Sequence, residues 1–488
     1  MGPPALAAGA VVLENSLIAG LEGNDPMVNK GAGRFKWLIL GIALSVSSSS
    51  GAPTGSDQQK LTLQEAIRLS LKHHPGFKAA RHSVDAAQWR VKKAYFDFLP
   101  KLALDLSYSR YDAPTVRRAN ILTEIGRNLT RQFAPDADPN EIRPVLWRNA
   151  YGTAITLQQP VFNGGALRAQ LTLAQANDLG VRGQFQETRQ RVILETMQAY
   201  FNLIKARELL ILARKAVEAT RSRLNSIQRM FETGMQNRAE VLRWEVNLAS
   251  EEGKLVQAES GYALALRQLS QWIGLPLDSS VALEYPDPAF REPLKPLDYY
   301  LNKGRFANPS LKTFSANIEA QRAQVQLARS KFFPQVNFFY NYQWETNDTP
   351  ALDSYRSWTF GFAVRVPVFN SFADYAQLQE ARAQFQQIQA AHQELQQSVE
   401  LQIQQAYYQV QAALKRIALA EKGHALAREN FRVVSDLFDV GMATNHELME
   451  AQIAMQKAES DLIEARFDYL IYMARLKSVA GILDVPED

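Results

Sequence analysis

The 488 residues carry 54 Lys plus Arg against 50 Asp plus Glu, six His and no Cys. A formal charge of +4 over that length offers no concentrated basic face, so nothing in it points to nucleic acid as a partner. At 46% hydrophobic and 21% charged residues the chain is not a disordered one, and the missing Cys excludes disulfides, thiolate metal sites and a lipid-modified N-terminal Cys.

The first feature in chain order is Trp37 to Val46, an apolar run preceded by Lys30, Arg34 and Lys36 and followed by small residues from Ser47 to Ala52. It is too short for a membrane-spanning helix, which needs about 18 to 20 apolar residues. Basic start, short apolar core and small-residue exit read as an export signal, so 1–52 is N-terminal extension plus signal peptide, with Met27 the natural start and 1–26 either a misassigned start or a real extension.

A helix is expected from Thr62 to Asp97, opened by the capping pattern Thr62-x-x-Glu65. After Pro100 the period changes to two. Leu102, Leu104, Leu106 and Tyr108 alternate with small or polar residues, as do Tyr151, Thr153, Ile155 and Leu157. Between these strands lies a loop, Asp112 to Arg148, with six Arg and five acidic residues. Asn163 to Phe231 then contains no Pro and predicts a helix of about 100 Å. Gly234 closes it, Asn237-x-x-Glu240 opens a return helix of about half that length, and Gly274 ends it.

The whole pattern then repeats. Pro160-Val161-Phe162-Asn163 recurs as Pro367-Val368-Phe369-Asn370, and Phe231 to Met235 recurs as Phe438 to Met442, both 207 positions on. The repeats span 60–274 and 309–483, joined by a Pro-rich linker at 275–308 and followed by a tail at 484–488. In the second repeat Val336, Phe338, Tyr340, Tyr342 and Trp344 form one strand face, and Trp358, Phe360, Phe362, Val364 and Val366 the next. Their connection, Thr346 to Arg356, is short, and a second long helix, Asn370 to Phe438, follows.

Four strands of about ten or eleven residues, apolar on one face and polar or small on the other, fit a lipid-embedded barrel. Four strands cannot close, and an open edge in lipid leaves unpaired amides costing several kcal/mol each. Two copies make eight strands, an interior that side chains fill, whereas three make twelve and leave a water-filled bore. The expected fold is therefore mixed membrane α+β: an internally duplicated chain closing as a homotrimer, a barrel above a helical tunnel.

Thr62-Leu-Gln-Glu-Ala-Ile, His74-Pro75, both Pro-Val-Phe-Asn turns and both Gly-Met tips resemble the TolC family of outer-membrane efflux proteins. The resemblance implies a trimer of twelve strands and twelve helical staves in the outer membrane. It also implies a periplasmic adaptor (membrane fusion) protein and an inner-membrane pump of the RND, ABC or MFS type as partners. Acidic residues at the positions of Glu447 and Glu450 ring the inner entrance in the family, although a capping-box Glu would stand at 447 without any pore. Glu240, with Arg243 one turn on, matches a position that ties neighbouring tip helices. Gly234, Met235, Gly441 and Met442 are the expected adaptor-docking tips. Two departures from the family, Phe438 for a common Tyr and Ala443 for a basic residue, leave the closure of the mouth open.

No Gly-x-Ser-x-Gly, phosphate loop or His-Glu-x-x-His appears, so no catalytic site, cofactor or metal is expected. The competing readings are an envelope-spanning structural coiled coil and a passive porin. The first predicts charged outer strand faces, and the second has no use for helices of about 100 Å.

Overall fold

The computed structural model describes residues 61–274, 283–285, 293–346 and 356–483. The chain divides into units 1–57 and 58–488. The first, with the expected export signal, lies outside the described residues, as do linker residues 275–282 and 286–292, the connection at 347–355 and the tail.

The opening helix is two helices, α1 (Leu63–His73) and α2 (Pro75–Phe96), where one was expected from Thr62 to Asp97. The break is local chemistry. The ring of Pro75 keeps His74 out of the helical region, at φ −61° and ψ 122°, and Pro75 itself supplies the first residue of α2. Thr62 caps α1 by accepting the Glu65 amide at 3.1 Å.

Strand β1 (Lys101–Arg110) follows, then α3 (Ala113–Ala119), α4 (Ile121–Phe133) and a single 3₁₀ turn at Pro139–Glu141. The segment 112–148, expected as a loop, is thus largely helical. Strand β2 (Asn149–Asn163) has 15 residues, longer than the ten or eleven expected, and takes in Pro160 to Asn163, expected as a turn. It is paired on both sides, and a bulge between Pro160 and Phe162 absorbs the proline's missing amide.

The long helix α5 (Ala166–Glu232) and return helix α6 (Arg238–Ile273) complete the first repeat. The second comprises α7 (Leu297–Ala307), α8 (Pro309–Ser330), β3 (Gln335–Thr346), β4 (Arg356–Arg365), α9 (Ala373–Asp439) and α10 (Asn445–Val479). Both long helices have 67 residues. Helix α7, the counterpart of α1, lies inside the span read as linker; Asn308 before Pro309 repeats the His74–Pro75 break.

The strands form one antiparallel sheet in the order β1-β2-β3-β4. Register decides what its faces are. Leu102, Leu157, Tyr340 and Phe360 stand in one row across all four strands, and Leu104, Ile155, Tyr342 and Trp358 in the next. The opposite face carries Ala103, Thr156, Asn341 and Thr359 in one row and Asp105, Ala154, Gln343 and Ser357 in another. The alternation read strand by strand is therefore a single apolar face and a single polar one. Among the described residues nothing covers the apolar face: Leu104 is 62% exposed and Phe362 64%.

Helices α2 and α6 lie against α5, while α8 and α10 lie between α5 and α9. Matching cores sit halfway along: Ala199, Leu203 and Leu269 in the first repeat, Ala406, Val410 and Leu476 in the second. A third cluster, with Ile227, Trp244, Phe438 and Leu448, packs the helix tips. Among the described residues no helix is long and apolar enough to cross a membrane.

Candidate functional site

The two tips form where α5 meets α6 and α9 meets α10. Gly234 and Gly441 take φ of +77° and +78°, the left-handed region in which a Cβ is costly, so glycine ends each long helix. The Met235 amide donates to Met230 O and the Met442 amide to Leu437 O, both at 2.8 Å, which folds each chain back within one turn. This geometry leaves Met235 and Met442 exposed at the apex, 73% and 78%.

The return helices start differently. Thr444 and Glu447 form a complete capping box: the Glu447 amide donates to Thr444 Oγ1 at 3.2 Å, and the Thr444 amide donates to the Glu447 carboxylate at 2.8 Å. That backbone hydrogen bond, with the Thr444 hydroxyl behind it, holds the Glu447 carboxyl below its ordinary value. In the first repeat Asn237 Oδ1 accepts the Glu240 amide at 3.1 Å, but the Glu240 carboxylate turns forward to Arg243 at 2.8 Å. Glu450, one turn past Glu447, pairs with His446 at 3.2 Å on the exposed side of α10. The two expected mouth carboxylates thus turn to different partners, and the Glu240–Arg243 contact lies within one helix.

Three contacts between the tip hairpins had no counterpart in the sequence reading. Gln452 on α10 donates to Thr220 on α5 at 3.0 Å, with both residues buried. Arg223 on α5 reaches Asp439 at 3.9 Å and lies 5.4 Å from the centre of the Phe438 ring, giving the Phe a cationic partner in place of a hydroxyl's hydrogen bond. Trp244 fills the space beneath at 1% exposure. Residues more than 200 positions apart in sequence meet here, and no local spacing marks them. Above the tip a groove of about 560 Å³ between α5, α6 and α10 is lined by Leu209, Ala213, Glu251, Lys254, Lys457 and Asp461. Glu251 is buried at 3% exposure and accepts from Lys254 at 2.8 Å.

The family model of the outer membrane efflux proteins matches residues 66–275 and 302–482. The chain belongs to the outer membrane efflux protein family. It is an outer-membrane channel of the efflux or type I secretion kind, with its helices extending into the periplasm. It is 24% identical over 447 residues to the alkaline protease secretion protein AprF of Pseudomonas aeruginosa, covering 88% of this chain and 86% of that one. It is 22% identical over 463 residues to the outer membrane protein TolC of Escherichia coli, covering 91% and 87%. The outer membrane channel CmeC of Campylobacter jejuni superposes with a TM-score of 0.74 at 17% identity, covering 86% of each chain. The fold inferred from the repeats is thus the fold of solved channels.

Proposed function

We propose that three copies close a twelve-stranded barrel over a helical tunnel, and that this channel passively conducts cargo from an inner-membrane pump and a periplasmic adaptor across the outer membrane. The observation that carries the reading is the register. One uncovered apolar face runs unbroken across four strands whose outer edges, β1 and β4, have no partner among the described residues. In lipid both edges must be paired, and since β1 and β4 run in opposite directions a β4-to-β1 junction between copies continues the antiparallel ladder. The helices carry the same message. Leu401, Tyr408 and Leu419 on the free flank of α9, and Val256 and Leu264 on α6, are exposed apolar residues awaiting a neighbour.

In this reading the chain is a conduit and not an enzyme, and the pump supplies the energy. Glu450, exposed on α10 beside His446, is the mouth carboxylate. Glu447 adds charge there while capping α10, and Glu240 with Arg243 sets the shape of the neighbouring tip. The apices at Gly234, Met235, Gly441 and Met442 receive the adaptor. Polypeptide cargo is favoured by the relative named for secretion of an alkaline protease.

Planar-bilayer recording tests this. Glu240→Ala combined with Glu450→Ala is expected to raise the single-channel conductance of the reconstituted protein. Conductance equal to wild type contradicts the assignment of the mouth.

A further inference from the structure

The helical segment at the outer end of the barrel presents its faces in an unusual way. Tunnel helix α5 leaves the sheet from the end of β2, so the β1–β2 connection, residues 111–148, lies at the opposite end, away from the periplasm. It begins at once: the Tyr111 amide donates to Arg148 O at 2.8 Å, one step beyond the sheet, and α3 starts two residues later. Helix α4 is fastened to the returning chain by its polar side. Asn120 at its N-cap accepts the Val145 and Leu146 amides at 2.6 and 2.9 Å and donates to Leu146 O at 2.6 Å. Thr123 donates to Arg143 O at 3.4 Å, and Arg127 Nε donates to Ile142 O at 2.7 Å.

This leaves the apolar side outward. At 100° per residue Ile121, Leu122, Ile125, Leu129 and Phe133 fall within an arc of about 120°, which Gln132 alone interrupts. All five are exposed, Leu122 at 79% and Phe133 at 74%. A helix that spends its polar side on its own loop and turns its apolar side away needs an occupant there. The charge distribution names it. Helices α3 and α4 hold four arginines, 117, 118, 127 and 131, against the single acidic residue Glu124, while Asp136, Asp138 and Glu141 lie on the return limb. The near-even charge of the whole segment conceals a basic, amphipathic helical pair. A second copy of the chain would bring the same arginines together, whereas a phosphate-bearing lipid surface neutralises them. The apolar face of β1 and β2, ending in the Tyr108–Tyr151 ring pair at 4.9 Å, leads directly to this segment.

We propose that α4 is an interfacial lipid-binding helix, its apolar arc entering the outer leaflet beside the barrel and Arg131, with Arg117 and Arg118 of α3, taking lipid phosphates. The proposal rests on the barrel reading above, so the test separates the two. The chain has no Cys, which makes single-site labelling direct. An environment-sensitive fluorophore is attached in turn to Leu122→Cys, Phe133→Cys, Asn128→Cys and the strand site Leu104→Cys. Each full-length protein is reconstituted into vesicles of phosphatidylcholine with an equal part of phosphatidylglycerol, doped with lipid carrying a nitroxide near the headgroup or in the acyl chain. The expected result is acyl-chain quenching at 104, and headgroup quenching at 122 and 133 at least about twofold above that at 128. Replacing Arg117, Arg118 and Arg131 by Gln is expected to lower quenching at 122 toward the value in pure phosphatidylcholine. Quenching at 104 with none at 122 and 133 overturns the proposal and leaves the barrel standing. So do disulfides formed between copies of the unlabelled Leu122→Cys variant, which would show that protein covers the arc. Absence of quenching at 104 overturns both.

Discussion

The two repeats solve one backbone problem in different ways, at the corner where each second strand passes into a long helix. In the first repeat Gly164 and Gly165 take φ of +63° and +85°. At the same place 207 positions later stand Ser371 and Phe372, at +46° and +59°. The first corner has no room at Gly164, where a Cβ would strike Ser330 O and the Phe333 side chain as α8 turns into β3, although Gly165 faces open space. The corresponding neighbour of the second corner is the α2–β1 turn, around Phe96 and Leu99, which in the proposed ring belongs to another copy. Phe369 and Phe372 stand there at 72% and 73% exposure. At this corner the repeat departs from its own rule, and the departure falls where, in the proposed ring, the chain meets its neighbour.

Substitution at these corners has the largest expected effects. Gly164→Val combines left-handed strain with a backbone collision and is expected to cost at least about 2 kcal/mol, seen as a lower dissociation temperature of the assembled complex. Ser371→Gly relieves left-handed strain, worth about 1 kcal/mol, and is expected to move that temperature the other way. The lipid and bore faces of the sheet give the next contrast. Leu104→Arg is expected to cost about 2–4 kcal/mol in membrane folding titrations, and Asp105→Asn on the polar face well under that.

A smaller contrast separates Tyr200 from its counterpart Tyr407. The Tyr200 hydroxyl lies 2.9 Å from Leu61 O and 2.7 Å from Glu284 O, and burial pushes its pKa up to about 12. Tyr407 meets Tyr300 and Tyr408 through its ring. Tyr200→Phe is expected to cost about 1–2 kcal/mol by denaturant titration, and Tyr407→Phe less.

The smallest effects are at the tips, where Thr444→Ala is expected to cost about 1 kcal/mol. Because the folded state holds the Glu447 carboxyl below its ordinary 4.5, the box stabilises fully above that value and is lost as pH falls through the lower folded one. The protection of the Thr444 to Glu447 amides against hydrogen exchange, taken relative to their intrinsic rate at each pH, is therefore expected to fall on acidification below about pH 4.5 in the wild type. In Thr444→Ala that response is expected to shrink.

What could be read from the sequence was whatever is periodic or locally capped. The long helices came within three residues of their bounds because nothing between Asn163 and Phe231 interrupts a 3.6-residue period. The strand faces followed from alternation alone, and the Thr444–Glu447 box from its spacing. The break at His74 was signalled by Pro75, which disfavours helical backbone at the residue before it. The segment 112–148 looked like a loop because α3 and α4 are short and rich in Arg and Thr, which hid the apolar arc of α4. Gln452–Thr220 and Arg223–Asp439 were beyond reach, since long-range pairs leave no spacing to read.

The most direct test is the mass of the intact particle. Native mass spectrometry of the mature protein released from detergent is expected to find three chains held together, because four strands per chain with two bare edges first reach a water-filled bore at twelve. A folded single chain that stays in solution with no detergent at all would contradict the account.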